Sequence, residues 1–198
     1  MSTRLARRLT VLVAVVGAGL LLPAATLAAD FPGTSGPDHL IGTADADKIW
    51  GLEGDDIIEG LAGADWIDGG ADNDLIYAGD GNDIVYGGRG RDRVRGGLGQ
   101  DVIRGGASAD RLVGGDGQDA IYGGSGPDTL YGGGAADAIW GGAGRDLVYG
   151  GPGNDVIRVG GDKTADAVHC GRGWDVVYLG RFDIADASCE RKIRNLEP

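Results

Sequence analysis

The chain has 198 residues, of which 41 are glycine, and it carries a formal net charge of -12 at pH 7. That glycine share is about three times the usual one, so a dense conventional core is excluded; six prolines and no strict every-third glycine exclude collagen. The 42% of hydrophobic residues argues against simple disorder, and the acidic balance argues against nucleic acid as a partner.

Met1 to Thr10 carries Arg4, Arg7 and Arg8, Val11 to Leu22 is free of charge, and Pro23 is followed by small residues up to Asp30. This order reads as a secretory signal peptide over residues 1–28, with Thr26 and Ala28 as the small residues before cleavage. The protein is then expected to be secreted, without a membrane span in the mature chain. An uncleaved anchor is the other reading, since Leu9 to Ala29 is long enough to cross a bilayer. Cleavage leaves 15 basic side chains against 30 acidic ones, so partners should be cationic.

The rest of the chain is organised on aspartate. Asp38, Asp47, Asp56, Asp65, Asp74, Asp83, Asp92, Asp101, Asp110, Asp119, Asp128, Asp137, Asp146 and Asp155 stand nine residues apart, and after a two-residue slip the phase resumes at Asp166 and Asp175. Two places after each stands an aliphatic residue, from Leu40 and Ile49 through Ile103 and Ile121 to Val168 and Val177. Glycines cluster five, four and two places before the aspartate, as in Gly96-Gly97-Leu98-Gly99-Gln100-Asp101.

This unit predicts a six-residue turn, opened by glycine's access to positive φ, and a three-residue strand whose middle residue faces inward. Two units make a coil of 18 residues, stacking odd and even units into two parallel sheets. Residues 29–178 are expected to form one such β-roll, an all-β solenoid, and 179–198 its cap and tail.

Aspartates 18 apart then form a column on each flank, at the strand spacing of about 4.8 Å. At an effective dielectric of 20, two charges about 5 Å apart repel by roughly 3 kcal/mol. A hard divalent cation that accepts six to eight oxygens relieves this, with carboxylates from adjacent coils and turn carbonyls as ligands. Calcium suits such sites; magnesium keeps its waters, and zinc wants Cys or His ligands that these turns lack. With one core aliphatic per unit, the chain is expected to stay largely unfolded until several Ca2+ ions bind.

These residues resemble the hemolysin-type calcium-binding repeat, the repeats-in-toxin (RTX) nonapeptide Gly-Gly-x-Gly-x-Asp-x-aliphatic-x, over about Gly33 to Tyr178. The resemblance implies a right-handed parallel β-roll with each ion between two turns of one flank. Its ligands would be the aspartates from Asp38 to Asp155 named above, paired as in Asp101 with Asp119 and Asp128 with Asp146. The sequence departs from the pattern two places before the aspartate at Asp45, Asp72, Ser108, Ala135 and Thr164, and at the fifth position at Arg91 and Arg145. Many relatives carry a large catalytic or pore-forming region; none is legible here, so toxin activity is not carried over.

Cys170 and Cys189 are the only cysteines, 19 positions apart. In an exported chain they are expected to form one disulfide, stapling the last coil to its neighbour. The segment Val168 to Arg191 also resembles the cysteine-containing terminus of secreted actinobacterial repeat proteins. One place past each core aliphatic the side chains point outward: Trp50, Asp68, Tyr86, Arg104, Tyr122, Trp140 and Arg158 on one face, and Ile41, Glu59, Tyr77, Arg95, Val113, Tyr131 and Tyr149 on the other. The first row reads as a sheet surface with Arg packed over rings, or as a platform for sugar rings. His39 and His169 fall in no catalytic pattern, and the carboxylates are accounted for by their register, so no enzyme activity is expected. The sequence therefore points to an exported calcium-binding structural or adhesive module. The alternative is a calcium-dependent binder of extracellular polysaccharide or cell-surface components.

Overall fold

The structure, a computed structural model, describes residues 29–194; the expected signal peptide lies outside the described residues. Among the described residues every regular element is a strand, nineteen in all, and no helix is long and apolar enough to cross a membrane. The strands wind alternately into two sheets. Ten strands form one, from Asp30–Pro32 through Lys48–Glu53 to Arg191–Arg194, and nine form the other, from His39–Ile41 to Ile184–Ala185. All pairings are parallel, and in the regular region partners are 18 residues apart, as in Ile103 with Ile121 and Ile121 with Ile139. The protein is a parallel β-solenoid.

Each unit's aliphatic points inward because alternation along the strand places it between two outward neighbours. Ile49, Ile67, Ile103, Ile121 and Ile139 line one sheet and Ile58, Ile76, Leu112, Leu130 and Val148 the other, all fully buried. Burial of each contributes roughly 1.5–3 kcal/mol. Leu40, in the first coil, is only partly covered, and Phe31 joins it there in register with Ile49.

The turn is tighter than the sequence reading. The strands run six residues, as in Val102–Ala107, not three, and the glycine pair belongs to the ladder. Gly106 (φ 112°) turns the chain while still paired with Gly124 of the next coil, so the corner forms inside the sheet. Only residues such as Ser108 to Asp110 lie outside it. Leu52, Leu61, Asp72, Ser108 and Ala135 hold φ between 76° and 85° without being glycine. The ladder imposes that conformation on Leu52 and Leu61, which pair with Gly70 and Gly79, and the turn imposes it on the other three, against side-chain preference.

The two-residue slip is absorbed by an insertion at Asp162 to Thr164. Asp162 accepts the Gly144 N–H at 2.8 Å and Thr164 donates its hydroxyl to the Gly144 carbonyl at 2.6 Å, so the neighbouring turn stays satisfied. Beyond it the register lengthens to 20, pairing Val148 with Val168 and Ile157 with Val177. The cap is itself a shorter coil, in which Val168 pairs with Ala185 and Tyr178 with Ile193. Cys170 and Cys189 are disulfide-bonded, with Cα atoms 5.1 Å apart and both side chains buried beside Val159, Val177 and Leu179. The Arg194 guanidinium donates to the carbonyls of Gly180 and Asp183, closing the end of the roll.

Candidate metal centre

Every aspartate of the register immediately precedes a strand. The main-chain N–H of each donates to Oδ1 of the aspartate one coil on: Asp83 to Asp101, Asp101 to Asp119 and Asp119 to Asp137, each at 2.9 Å. Two continuous ladders result. One runs from Asp47 through Asp65, Asp83, Asp101, Asp119, Asp137 and Asp155 to Asp175, and the other from Asp38 through Asp56, Asp74, Asp92, Asp110, Asp128 and Asp146 to Asp166.

Oδ1 is satisfied; Oδ2 is not. In all aspartates from Asp56 to Asp155, and in Asp166 and Asp175, Oδ2 is buried without a hydrogen-bond partner. These fourteen side chains are at most 3% exposed. A charged oxygen left so costs several kcal/mol, far more than a folded chain of this size tolerates fourteen times over.

The surroundings of Oδ2 make the deficit worse. A methyl group placed on Gly105 would lie 2.5 Å from Asp110 Oδ2 and 2.6 Å from the Gly123 carbonyl oxygen of the next coil. The same overlap recurs at Gly96, Gly114, Gly123 and Gly132. In these units the glycine five places before the aspartate thus keeps open a gap lined by two acceptors from two coils. At Asp83 and Asp175 the gap is narrowed by Ala78 and Cys170, which stand where the other units have glycine.

Electrostatics follow from this geometry. Burial pushes the carboxyls up, to about 6 at Asp56, Asp65, Asp92, Asp119, Asp128 and Asp155 and to about 7 at Asp74, Asp83, Asp110, Asp137, Asp146 and Asp166. The ladder N–H pulls each partly back, and at several rungs the carboxylates one coil away push it up further. Near neutral pH such a ladder requires either protons or cations.

Only an oxygen-seeking cation fits the donor set. Nowhere among the described residues do three His, Cys, Asp or Glu side chains converge, so backbone carbonyls must complete any shell, as calcium tolerates. The nitrogen and sulfur ligands that zinc wants are committed elsewhere. His39 Nε2 meets Glu59 Oε1 at 2.8 Å, His169 Nδ1 meets Asp186 Oδ2 at 2.6 Å, and both cysteines are in the disulfide.

Asp38 and Asp47 differ from the other aspartates of the expected set. Their Oδ2 atoms accept the main-chain N–H (2.6 Å) and the hydroxyl (2.9 Å) of Thr34 and Thr43. At the far ends, Asp166 N–H donates to Asp183 and Asp175 N–H to Glu190 Oε2. Sequence reasoning missed these two acids because the cap shortens the period to eight and seven residues. A threonine four places before the aspartate, where glycine usually stands, was the signal available for Asp38 and Asp47.

The outward rows are as the register requires. Tyr122 and Trp140 stack at 4.4 Å, Arg104 lies between Tyr86 and Tyr122, and Arg158 lies between Trp140 and Tyr178. On the other sheet Arg111, Tyr131, Tyr149 and His169 form a continuous stack. Stacked in this way, these side chains brace neighbouring coils along the roll.

Parallel sheets wound from nonapeptides around two ladders of buried aspartate define a calcium-binding type of β-roll. The chain belongs to the RTX calcium-binding nonapeptide repeat family, whose four-copy model matches residues 32–67, 59–94, 86–121, 95–130 and 122–157. Repeats of this family bind Ca2+ in general, so the protein is a calcium-binding repeat module. No curated protein matches the chain.

Proposed function

We propose that this is an exported protein whose roll folds when calcium binds outside the cell, and that it serves there as a rigid structural or adhesive module. The observation that carries this is the set of fourteen buried, partnerless Oδ2 atoms. On this reading residues 1–28 are removed at export, residues 29–178 form the calcium-dependent roll and residues 179–198 cap it. The disulfide is consistent with an oxidising compartment.

The ligands are the aspartates from Asp56 to Asp155, with Asp166 and Asp175, together with carbonyls that face them, such as Gly114 beside Asp101 and Gly123 beside Asp110. Bound calcium supplies the positive charge that both sets of oxygens lack. The chain's own part is to hold Oδ1 through the ladder N–H, to aim Oδ2 into the gap and to keep that gap open with glycine. Each coil offers its N–H to the next coil's carboxylate, so ordering one rung prepares its neighbour.

Counting calcium per chain after equilibrium dialysis tests the ligand set. Asp119→Ala should lower the count in a roll that keeps its strand signal, and an unchanged count removes Asp119 from the ligands.

A further inference from the structure

The orphaned oxygens are not spread over whole ladders. Seven belong to each, Asp56 to Asp166 in one and Asp65 to Asp175 in the other, and none falls on Asp38 or Asp47, which begin the ladders, or on Asp183, which follows Asp166. We propose that the ladder ends at Asp38, Asp47 and Asp183 are closed to cations by the chain's own donors, so that calcium enters the internal rungs and not these ends. The inference rests on the calcium reading above.

Local backbone chemistry accounts for the first coil. At every internal rung except Asp166, which follows the insertion, the residue four places before the aspartate is left-handed, as Gly97 and Gly115 are at φ 129°, and its N–H does not reach Oδ2. Thr34 and Thr43 occupy that position before Asp38 and Asp47 and are not left-handed. A β-branched residue resists positive φ. The chain there delivers both an N–H and a hydroxyl to Oδ2, filling with two donors the place that is bare elsewhere. Gly33 and Gly42 still stand five places before these aspartates, so the glycine side of the gap is kept and threonine is the change beside it.

A different device closes the other end. Asp183 Oδ2 accepts the Gly180 N–H at 2.5 Å while its Oδ1 takes the Asp166 N–H, so neither oxygen is bare. The second ladder ends on Glu190, whose Oε2 accepts the Asp175 N–H and whose side chain is exposed. The roll thus carries a cation-dependent middle, and three of its four ladder ends satisfy their own carboxylates.

The test counts calcium per chain in the full-length protein by elemental analysis, with circular dichroism to verify the fold. The double variant Thr34→Gly, Thr43→Gly should bind more calcium than the parent, whereas Thr34→Ser, Thr43→Ser should bind the same. Asp38→Asn with Asp47→Asn should leave the count unchanged, while Asp119→Asn lowers it. A folded glycine variant with the parental count overturns the closure, as does loss of calcium from the Asp38, Asp47 pair. If Asp119→Asn also leaves the count unchanged, the calcium reading falls and the closure with it.

Discussion

The N–H of Asp101 donates to Oδ1 of Asp119, and the carbonyl of Asp101 accepts from Ala120, the residue that follows Asp119, at 2.8 Å. Each internal ladder aspartate is therefore clamped by the coil after it, and its one free valence is Oδ2. Asp119 Oδ2 stands beside the Gly132 carbonyl across the gap that Gly114 keeps open. An amide in place of the carboxylate turns that acceptor pair into a donor and an acceptor. Asp119→Asn should consequently lose calcium yet make the metal-free roll more stable, by about 2 kcal/mol for one buried group satisfied. The strand signal that remains in chelator checks the second half, and a variant that retains less of it than the parent contradicts it.

Acidification acts on the same oxygens. The folded-state values of about 6 to 7 at Asp74, Asp110 and Asp137 lie above the ordinary 3.8, so protonation favours the folded form. That contribution is complete below the ordinary value and is lost as pH rises through 6 to 7. In chelator, strand signal should grow as pH falls from 8 to 5. Calcium affinity should move the opposite way, weakening as protons compete, with protons released on binding near pH 6.5. A calcium affinity flat across this range contradicts the ladder electrostatics.

Glycine is required at the corners for two separate reasons. Gly115 is left-handed, and a methyl group there would overlap the Gly97 carbonyl oxygen of the preceding coil. Gly115→Ala should destabilise the calcium-loaded roll by about 3 kcal/mol. Ala135 already holds φ 76°, and Ala135→Gly removes that strain, an effect of roughly 1 kcal/mol in the stabilising direction before the looser unfolded chain offsets part of it. Thermal unfolding of the pair in excess calcium should show opposite shifts, the first much the larger.

The disulfide closes the C-terminal coil over a separation of 19 residues. Reduction, or Cys170→Ser with Cys189→Ser, should cost about 3 kcal/mol in the chain-entropy description. The loss should be local. Amide exchange should accelerate in Val176–Leu179 and Arg191–Arg194 and leave Ile84–Arg89 unchanged in calcium, and uniform acceleration would show the cap to be no separate closure.

The sequence made the repeat, the two sheets and the inward aliphatics legible because each rests on one residue type at one spacing. Sixteen recurrences, from Asp38 to Asp175, leave little freedom of register. The disulfide followed from a separation close to one coil. What escaped depends on irregular spacing or on hydrogen-bond direction. Asp183 and Glu190 lie off the nine-residue phase, Phe31 extends the core before the first complete unit, and the protection of Asp38 by Thr34 requires knowing which way a single N–H points. The turn length was misjudged for the same reason, since a glycine with positive φ reads as a turn although its backbone remains bonded in the ladder.

Circular dichroism of the chain lacking residues 1–28, titrated with calcium from a chelated start and with magnesium as control, measures the coupling of folding to metal most directly. Strand signal that is weak in chelator at pH 7.5, rises cooperatively with calcium and stays low with magnesium is the predicted result. A roll already fully formed in chelator at that pH, and unchanged by calcium, would contradict the account.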